Sequence, residues 1–524
     1  MKYVTLFIGI ILLCILGFVI YTVQTPKTKA TVVADLQQET LQQALKVEGK
    51  IPEWLSGSYV RNGPVSFKVN GVEIPHWFDG LAMLHAFSFD KGQVNYSNKF
   101  LRTDPYKEVF DRGNLYFGGF STPSKKPVWE RIVSFLTPHP GPYLQNANVN
   151  VAQFAKKTVA LTETPLPVIF DLKTLDTLGA FDYPDDLPKK DIFESAHPQE
   201  DKHTKEMFNY LVHYGKESFY VVYRLNPDTG KREVISKIPV EKPAYMHSFA
   251  LTQNYIILVE FPLVVNPIDL MLSSKGFIQN FNWKPELGTN FIIVNRKTGE
   301  YKTLKDKNAF FAFHHVNALE KDDNIVLDMV TYPDAKIITD VAMHGDIEPN
   351  AKSEQKLNET ASQTKLMRYT LSLKELLVNS KAILEKSLEF PRVNEAYQAY
   401  PYQFAYLVNP VSALSSSDER PLYKINTETG ETLQWSEPGV MPGEPVFIAD
   451  PNGKAEDDGV VVTIVLDHFK QRAFLLMLDG KTFKEIARSY TPHQIPEGLH
   501  GAFFSYRSHP FLERPSLGNL ALKF

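Results

Sequence analysis

Along most of the chain, apolar residues fall in short runs separated by turn-forming residues. Tyr255-Ile-Ile-Leu-Val-Glu260, Phe291-Ile-Ile-Val294 and Gly459-Val-Val-Val-Thr-Ile-Val-Leu466 are typical. Runs this short, rich in Val and Ile and bounded by Gly, Pro, Asn or Asp, predict strands. A mark recurs after several of them: the run ends in Asp or Asn, a Thr-Gly-like turn follows, and another run begins. It is seen in Phe170-Asp-Leu-Lys-Thr174, Leu225-Asn-Pro-Asp-Thr-Gly230, Val294-Asn-Arg-Lys-Thr-Gly299, Ile425-Asn-Thr-Glu-Thr-Gly430 and Leu478-Asp-Gly-Lys-Thr482. The Asp or Asn stands at 171, 226, 295, 426 and 479, in steps of 55, 69, 131 and 53, so the long step reads as two units with one turn obscured. A period of roughly 50–65 residues with a hairpin per unit predicts the blades of a β-propeller. No blade can bury both faces alone, so the blades stack around an axis.

Four stretches break the pattern. Val4 to Val23 holds 20 residues without a charge. At about 1.5 Å per residue such a helix matches the roughly 30 Å hydrocarbon core of a bilayer. A cleaved signal peptide would have a shorter apolar region and an A-x-A-like site, and Gln24-Thr25-Pro26-Lys27 offers none. The expected division is therefore a single-pass N-terminal membrane anchor over 1–24, a polar linker over 25–44 and a propeller domain over 45–524. Lys2 on one flank and Lys27 and Lys29 on the other leave the orientation open. His344 to Lys365 is polar and reads as a mobile surface insertion. Lys125 to Leu136 places Val128, Trp129, Ile132, Val133, Phe135 and Leu136 at helical spacing. That is the pattern of an amphipathic helix, lying in a membrane surface or packed on the propeller. Pro267 to Leu272 is a second apolar loop of the same kind.

Composition narrows the functional classes. The 524 residues carry 56 Lys+Arg against 60 Asp+Glu, a net charge of −4, which gives no electrostatic footprint for nucleic acid. Apolar residues make up 43%, enough for a large core. Cys14 is the one cysteine, so no intramolecular disulfide and no cysteine-ligated zinc site can form. Histidine is the remaining candidate for metal chemistry. His197, His247, His314 and His500 sit in β-rich contexts, 50, 67 and 186 residues apart. The first two steps resemble the blade period, and side chains at equivalent blade positions converge on a propeller axis. A lone histidine is more often a core or surface residue. Four that converge would form an all-imidazole site, suited to Zn, Cu, Fe or Ni.

Several blocks in order give the chain a resemblance to the carotenoid cleavage oxygenases, a family of non-haem iron enzymes, in particular its animal-type branch. They are Gly57-Ser-Tyr-Val-Arg-Asn-Gly-Pro64, His76-Trp-Phe-Asp-Gly80 with Met83-Leu-His85, Phe313-His-His-Val-Asn317, Glu389-Phe-Pro-Arg-Val-Asn394, Gly443-Glu-Pro-Val-Phe447 and Gly498-Leu-His-Gly501. The likeness runs from about Gly57 to the C-terminus.

The resemblance implies an all-β, seven-bladed β-propeller with a helical and loop cap, following the anchor. It implies one Fe(2+) per chain on the propeller axis, held by His197, His247, His314 and His500. At the double histidine it selects His314 over His315. It adds Glu163, Glu389 and Glu444 as carboxylates behind the ligands, where each fixes a ligand's tautomer by accepting its Nδ1–H. Three glutamates for four histidines leaves one imidazole oriented by something else. The Arg61-Asn62-Gly63-Pro64 and Phe78-Asp79-Gly80 blocks read as structural. The implied reaction is oxidative cleavage of a carbon–carbon double bond of a carotenoid or apocarotenoid to two carbonyl products. No side chain is needed as general acid or base. The partners would be a hydrophobic polyene, dioxygen and the membrane lipid that delivers the polyene, with no nucleic acid. The sequence leaves the oligomeric state open. Other readings are a stilbene-cleaving dioxygenase, a retinyl-ester isomerohydrolase and a non-catalytic membrane-tethered propeller. Phe100, where stilbene cleavers would carry a Tyr, favours a carotenoid.

Overall fold

A computed structural model describes residues 36–115, 118–123, 125, 127, 144–189, 192–340, 351–410 and 419–506. Its strands form seven antiparallel sheets of four to six strands, in chain order around a ring, with two further two-stranded ribbons. This is a seven-bladed β-propeller with few helices. Each sheet alternates hydrophobic contacts with its two neighbours, so the core is divided into layers between blades. Val60, Ala160 and Phe170 pack between blades 1 and 2. Val159, Leu211 and Tyr223 pack between blades 2 and 3, and Val330, Leu407 and Ile425 between blades 5 and 6.

The ring closes with both ends of the chain. The innermost strand of blade 1 is Gly501–Ser505, which pairs Gly501 with Arg61 and Ser505 with Gly57. The outermost is Thr40–Ala44, which takes in the last residues of the segment read as linker. Glu48–Gly49 completes blade 7 by pairing with Glu485–Tyr490. The first and last blades therefore each mix N- and C-terminal strands, and opening the ring means breaking backbone ladders.

The sequence repeat maps onto one place in blades 2, 3, 4, 6 and 7, the hairpin between the third and fourth strands. Asn226 Oδ1 accepts the backbone N–H of Asp228 and Thr229, and Asn295 Oδ1 that of Lys297 and Thr298. Asn426 does the same in blade 6. The obscured turn inside the long step is in blade 5, where Ser372 Oγ takes the acceptor role for Glu375 N–H. Serine makes this turn as asparagine does, only more weakly.

Buried side chains tie consecutive blades near the axis. Asn62 Nδ2 donates to the carbonyls of Ala147 and Asn150, linking blades 1 and 2. Asn150 Nδ2 reaches Ala196, and Ser195 Oγ donates to the carbonyl of His247. Ser248 Oγ donates to the carbonyl of Phe313. Asn317 Nδ2 reaches Tyr397 and Asn394 Nδ2 reaches Glu456. The inner strands run in one direction, and the loop following that of blade 6 crosses the axis at their far end. It meets blade 3 through Lys202–Glu395 (3.1 Å), His203 Nε2 with the Ala396 carbonyl (3.0 Å) and Tyr400 Oη with Asp201 (3.2 Å). Blades 3 and 6 stand on opposite sides of the ring, so this loop closes that end of the axis.

Two expectations need correction. The anchor over Val4 to Val23 lies outside the described residues. Among the described residues no helix is long and apolar enough to cross a membrane. The longest, Ala351–Ala361, has 11 residues, about 16 Å at 1.5 Å per residue, against a core of roughly 30 Å. A single-pass membrane location is thus not supported. That same helix lies within the stretch read as a mobile insertion, and Asn358, Thr360 and Ala361 are buried, with Thr360 Oγ1 donating to Asp340 at 2.6 Å. Most of the helix expected over Lys125 to Leu136 is outside the described residues. Pro267–Leu272 is a short helix capped by Asn266, whose side chain accepts from Ile268 N–H.

The inter-blade bonds are buried or partly buried, whereas the hairpin turns face solvent, so their removal should differ in cost. Asn317→Ala strands the Tyr397 carbonyl and the Ala399 N–H and is expected to cost about 2–3 kcal/mol. Asn226→Ala at an exposed turn is expected to cost about 1 kcal/mol or less. Denaturant unfolding of both variants measures the order.

Candidate metal centre

Each blade delivers one side chain to the axis at the end where the inner strands begin. His247 and His314 stand just before the inner strands Ala250–Leu251 and His315–Lys321 of blades 4 and 5. His500 stands just before Gly501–Ser505 in blade 1. His197 occupies an interruption of the blade 3 inner strand, between Ile192–Glu194 and Gln199–Asp201, both paired to Glu206–His213. Such a break in pairing re-aims a side chain off the sheet face. Glu389 opens the inner strand of blade 6. Glu444 sits in a second interruption, between Val440–Pro442 and Val446–Ala449 in blade 7. Glu163 follows the second strand of blade 2, which returns to the same end because it is antiparallel to the first. Four blades therefore supply histidines and three supply glutamates.

The four imidazoles converge, with one ring nitrogen of each within 4.8 Å of the others. His197 Nε2 lies 2.9 Å from His247 Nε2, and His314 Nε2 lies 3.1 Å from His500 Nε2. Behind three of them stand the carboxylates. His247 Nδ1 meets Glu163 Oε1 at 2.6 Å, His314 Nδ1 meets Glu389 Oε2 at 2.6 Å, and His500 Nδ1 meets Glu444 Oε1 at 2.7 Å. A carboxylate accepting at Nδ1 puts the proton there and leaves the Nε2 lone pair facing the axis. His197 is the imidazole without a glutamate; its backbone N–H donates to Ser195 Oγ, and its ring meets those of His247, His314 and His500 edge to face.

Electrostatics keep the set ready for a cation. Burial pushes His500 down to about 4, outweighing the pull of Glu444. Burial, joined by the neighbouring imidazoles, holds His197 well below the usual histidine range. Both are therefore neutral at pH 7, as metal ligation requires. Burial alone would raise Glu444, but Arg392 and His500 hold it down at about 2. Glu389 is likewise lowered against the effect of burial, by His314, the Phe390 N–H and Tyr332.

The structure brings the four histidines and three glutamates named from the sequence to one place. His315, the alternative to His314, turns away and bonds Ser248 Oγ through Nδ1 at 2.8 Å. The partners that hold the glutamates were not foreseen. Tyr245 Oη donates to Glu163 at 2.9 Å and Tyr332 Oη to Glu389 at 2.9 Å. Arg392 grips both oxygens of Glu444 at 2.8 and 3.2 Å. Two of these stand close to recognised positions, Tyr245 two residues before His247 and Arg392 three after Glu389. Tyr332 carries no such signal.

Aromatic rings flank the imidazoles. Phe390 lies 5.5 Å from His314 and 5.3 Å from His500, and Phe313 lies 5.4 Å from His247, measured between ring centres. Phe78 extends this wall to Phe120. Asp79, read as a turn residue, does more than turn the chain. Its carboxylate accepts the backbone N–H groups of Phe120, Ser121 and Thr122 and so fixes Phe120 against Phe78 and Tyr245. A Cβ on Gly119 would come within 2.3 Å of that carboxylate, so the approach requires glycine.

The family profile described as retinal pigment epithelial membrane protein matches residues 33–505. The β,β-carotene 15,15'-dioxygenase of Gallus gallus is 29% identical over 510 residues, covering 87% of this chain and 94% of that protein. The chloroplastic carotenoid cleavage dioxygenase 8 of Arabidopsis thaliana is 29% identical over 501 residues, covering 89% and 84%. Among solved structures, a Glu150Gln variant of the Synechocystis apocarotenoid oxygenase superposes with a TM-score of 0.77 at 25% identity, covering 91% of this chain and 98% of that one.

The donor set is four imidazoles with one nitrogen each within 4.8 Å of the others, two pairs of them at 2.9 and 3.1 Å, and it fits a divalent transition metal. Glu389→Gln removes the charge that anchors His314. It is expected to weaken divalent-metal binding by about 10–100-fold, with a smaller loss for Tyr332→Phe. Titration with cobalt(II), followed by its visible absorption, reads both.

Proposed function

This chain belongs to the family described as retinal pigment epithelial membrane protein, which takes in the carotenoid-cleaving dioxygenases, and from that premise we propose an iron(II)-dependent dioxygenase. It cleaves a carbon–carbon double bond of a carotenoid or apocarotenoid to aldehyde or ketone products. His197, His247, His314 and His500 hold the iron, one per chain, and Glu163, Glu389 and Glu444 orient three of them. The observation that carries this reading is the meeting of four imidazoles, one nitrogen each within 4.8 Å, at one end of the propeller axis.

Bound iron(II) supplies the activation of dioxygen. What the chain itself does follows from its side chains. Four imidazole ligands, uncharged when bound, would leave the charge of the ion unquenched. The glutamates compensate that charge from behind without competing for the ion. Phe78, Phe313 and Phe390 offer an apolar face beside the imidazoles against which a flat polyene can lie, which places one double bond next to the ion. The loop from blade 6 closes the opposite end of the axis and limits water. No proton transfer from a side chain is called for, and the buried glutamates, already bonded, are poorly placed to provide one.

Oxygen uptake tests the assignment. With β-carotene or an apocarotenoid, the iron-loaded protein is expected to consume one dioxygen per substrate and to place one atom from labelled dioxygen in each carbonyl product. Turnover of a retinyl ester without oxygen would instead identify an isomerohydrolase, and cleavage confined to stilbenes would replace the substrate class. Tight polyene binding with no uptake would leave a binding propeller.

A further inference from the structure

The three carboxylates behind the histidines differ in their own partners. Glu163 and Glu389 are held by neutral hydroxyls, those of Tyr245 and Tyr332. Glu444 is held by a cation. Arg392 donates through Nε to Oε1 at 2.8 Å and through Nη2 to Oε2 at 3.2 Å. Its Nη2 also donates to the carbonyl of Gly501, the residue after His500, at 2.6 Å, while the Gly501 N–H donates back to Glu444 at 2.8 Å. Among the described residues Arg392 is the one charged group bonded to any of the three glutamates. Arg61, bonded to the Pro496 carbonyl at 2.8 Å, acts on Glu444 only through its field, and Glu395, paired with Lys202, acts on Arg392 in the same way.

The four imidazoles carry no charge as ligands. Arg392 offsets the charge of the carboxylate it binds, whereas no arginine or lysine among the described residues is bonded to Glu163 or Glu389. We propose that Arg392 is a positioning residue that also sets this balance, so that the site prefers iron(II) over iron(III). Its fork fixes Glu444, and through it His500 and the start of the closing strand. Its charge cancels the third carboxylate, which would otherwise favour the trivalent ion. Arg is suited to both tasks, since its planar fork matches a carboxylate and its charge persists when buried. Net charge around a metal is a recognised lever on its reduction potential. The asymmetry also ranks the ligands. His247 and His314 face uncompensated carboxylates and are the stronger donors, whereas His500 faces a compensated one and His197 none.

This inference rests on the iron reading above, and the two fail differently. If the wild-type protein holds no iron after anaerobic loading, the iron reading falls. The inference is tested by poising iron-loaded protein at a fixed potential with mediators and measuring the iron(III)/iron(II) ratio by electron paramagnetic resonance. Arg392→Gln and Glu444→Gln break the same ion pair but change the site charge in opposite senses. Arg392→Gln is expected to raise the ratio roughly tenfold and Glu444→Gln to lower it by a similar factor. Arg392→Lys keeps the charge without the fork and is expected to stay within about twofold of wild type. A shift of the same sign in both Gln variants, no shift in either, or a Lys variant that moves as far as the Gln variant, would overturn the proposal. Where one Gln variant fails to load, the sign read from the other decides.

Discussion

Placing three carboxylates at the centre of a protein, two of them buried and one half-buried, is costly unless each is paired, and here each is paired with the Nδ1–H of an imidazole. Desolvating a charge costs several kcal/mol, and close, well-aligned partners are needed to recover it. That requirement ties the two halves of the site together. The glutamates are tolerable because the histidines donate to them, and the histidines present Nε2 to the axis because the glutamates hold their other nitrogen. Seven blades meet the need with one position each, four for ligands and three for counter-charges. The inter-blade bonds of Asn62, Asn150, Ser195, Ser248, Asn317 and Asn394 then fix the blades at the radius where these pairs close. A small change in that radius would separate all three pairs together.

The strands and the repeat were legible because turn chemistry is local. Asn226, Asn295 and Asn426 bond the backbone two and three residues ahead, so the mark survives in the sequence without knowledge of the fold. The mark disappeared in blade 5 because Ser372 makes the turn with a hydroxyl. The count of seven and the role of the glutamates came from the resemblance, since nothing in the spacing of Glu163, Glu389 and Glu444 ties them to the histidines. What stayed hidden is what depends on distant segments meeting. The ring closure pairs Arg61 with Gly501, and the axial closure pairs Lys202 with Glu395. Tyr332 reaches Glu389 from 57 positions away. An apolar run predicts a membrane helix by its length alone, and the described fold contains no such helix.

The arrangement separates holding a metal from choosing a substrate. The imidazole cage and its carboxylates are built from inner-strand ends, the most constrained parts of a propeller. Of the aromatic wall, Phe313 and Phe390 adjoin His314 and Glu389 on the same strand ends, and its outer part comes from the segment of Phe78 and the one Asp79 grips at Phe120 to Thr122. Changes in those two segments can alter which polyene lies beside the ion while the cage stays intact, a division common to enzymes that carry their chemistry on a rigid scaffold.

The central claim is that the four imidazoles hold one iron. The direct measurement is iron content by mass spectrometry of protein loaded anaerobically with iron(II), for the wild type and for His197→Ala and His500→Ala. The account predicts about one iron per chain in the wild type and loss of most of it in both variants, each remaining a folded β-protein by circular dichroism. Full iron content in a folded variant lacking either histidine would contradict it.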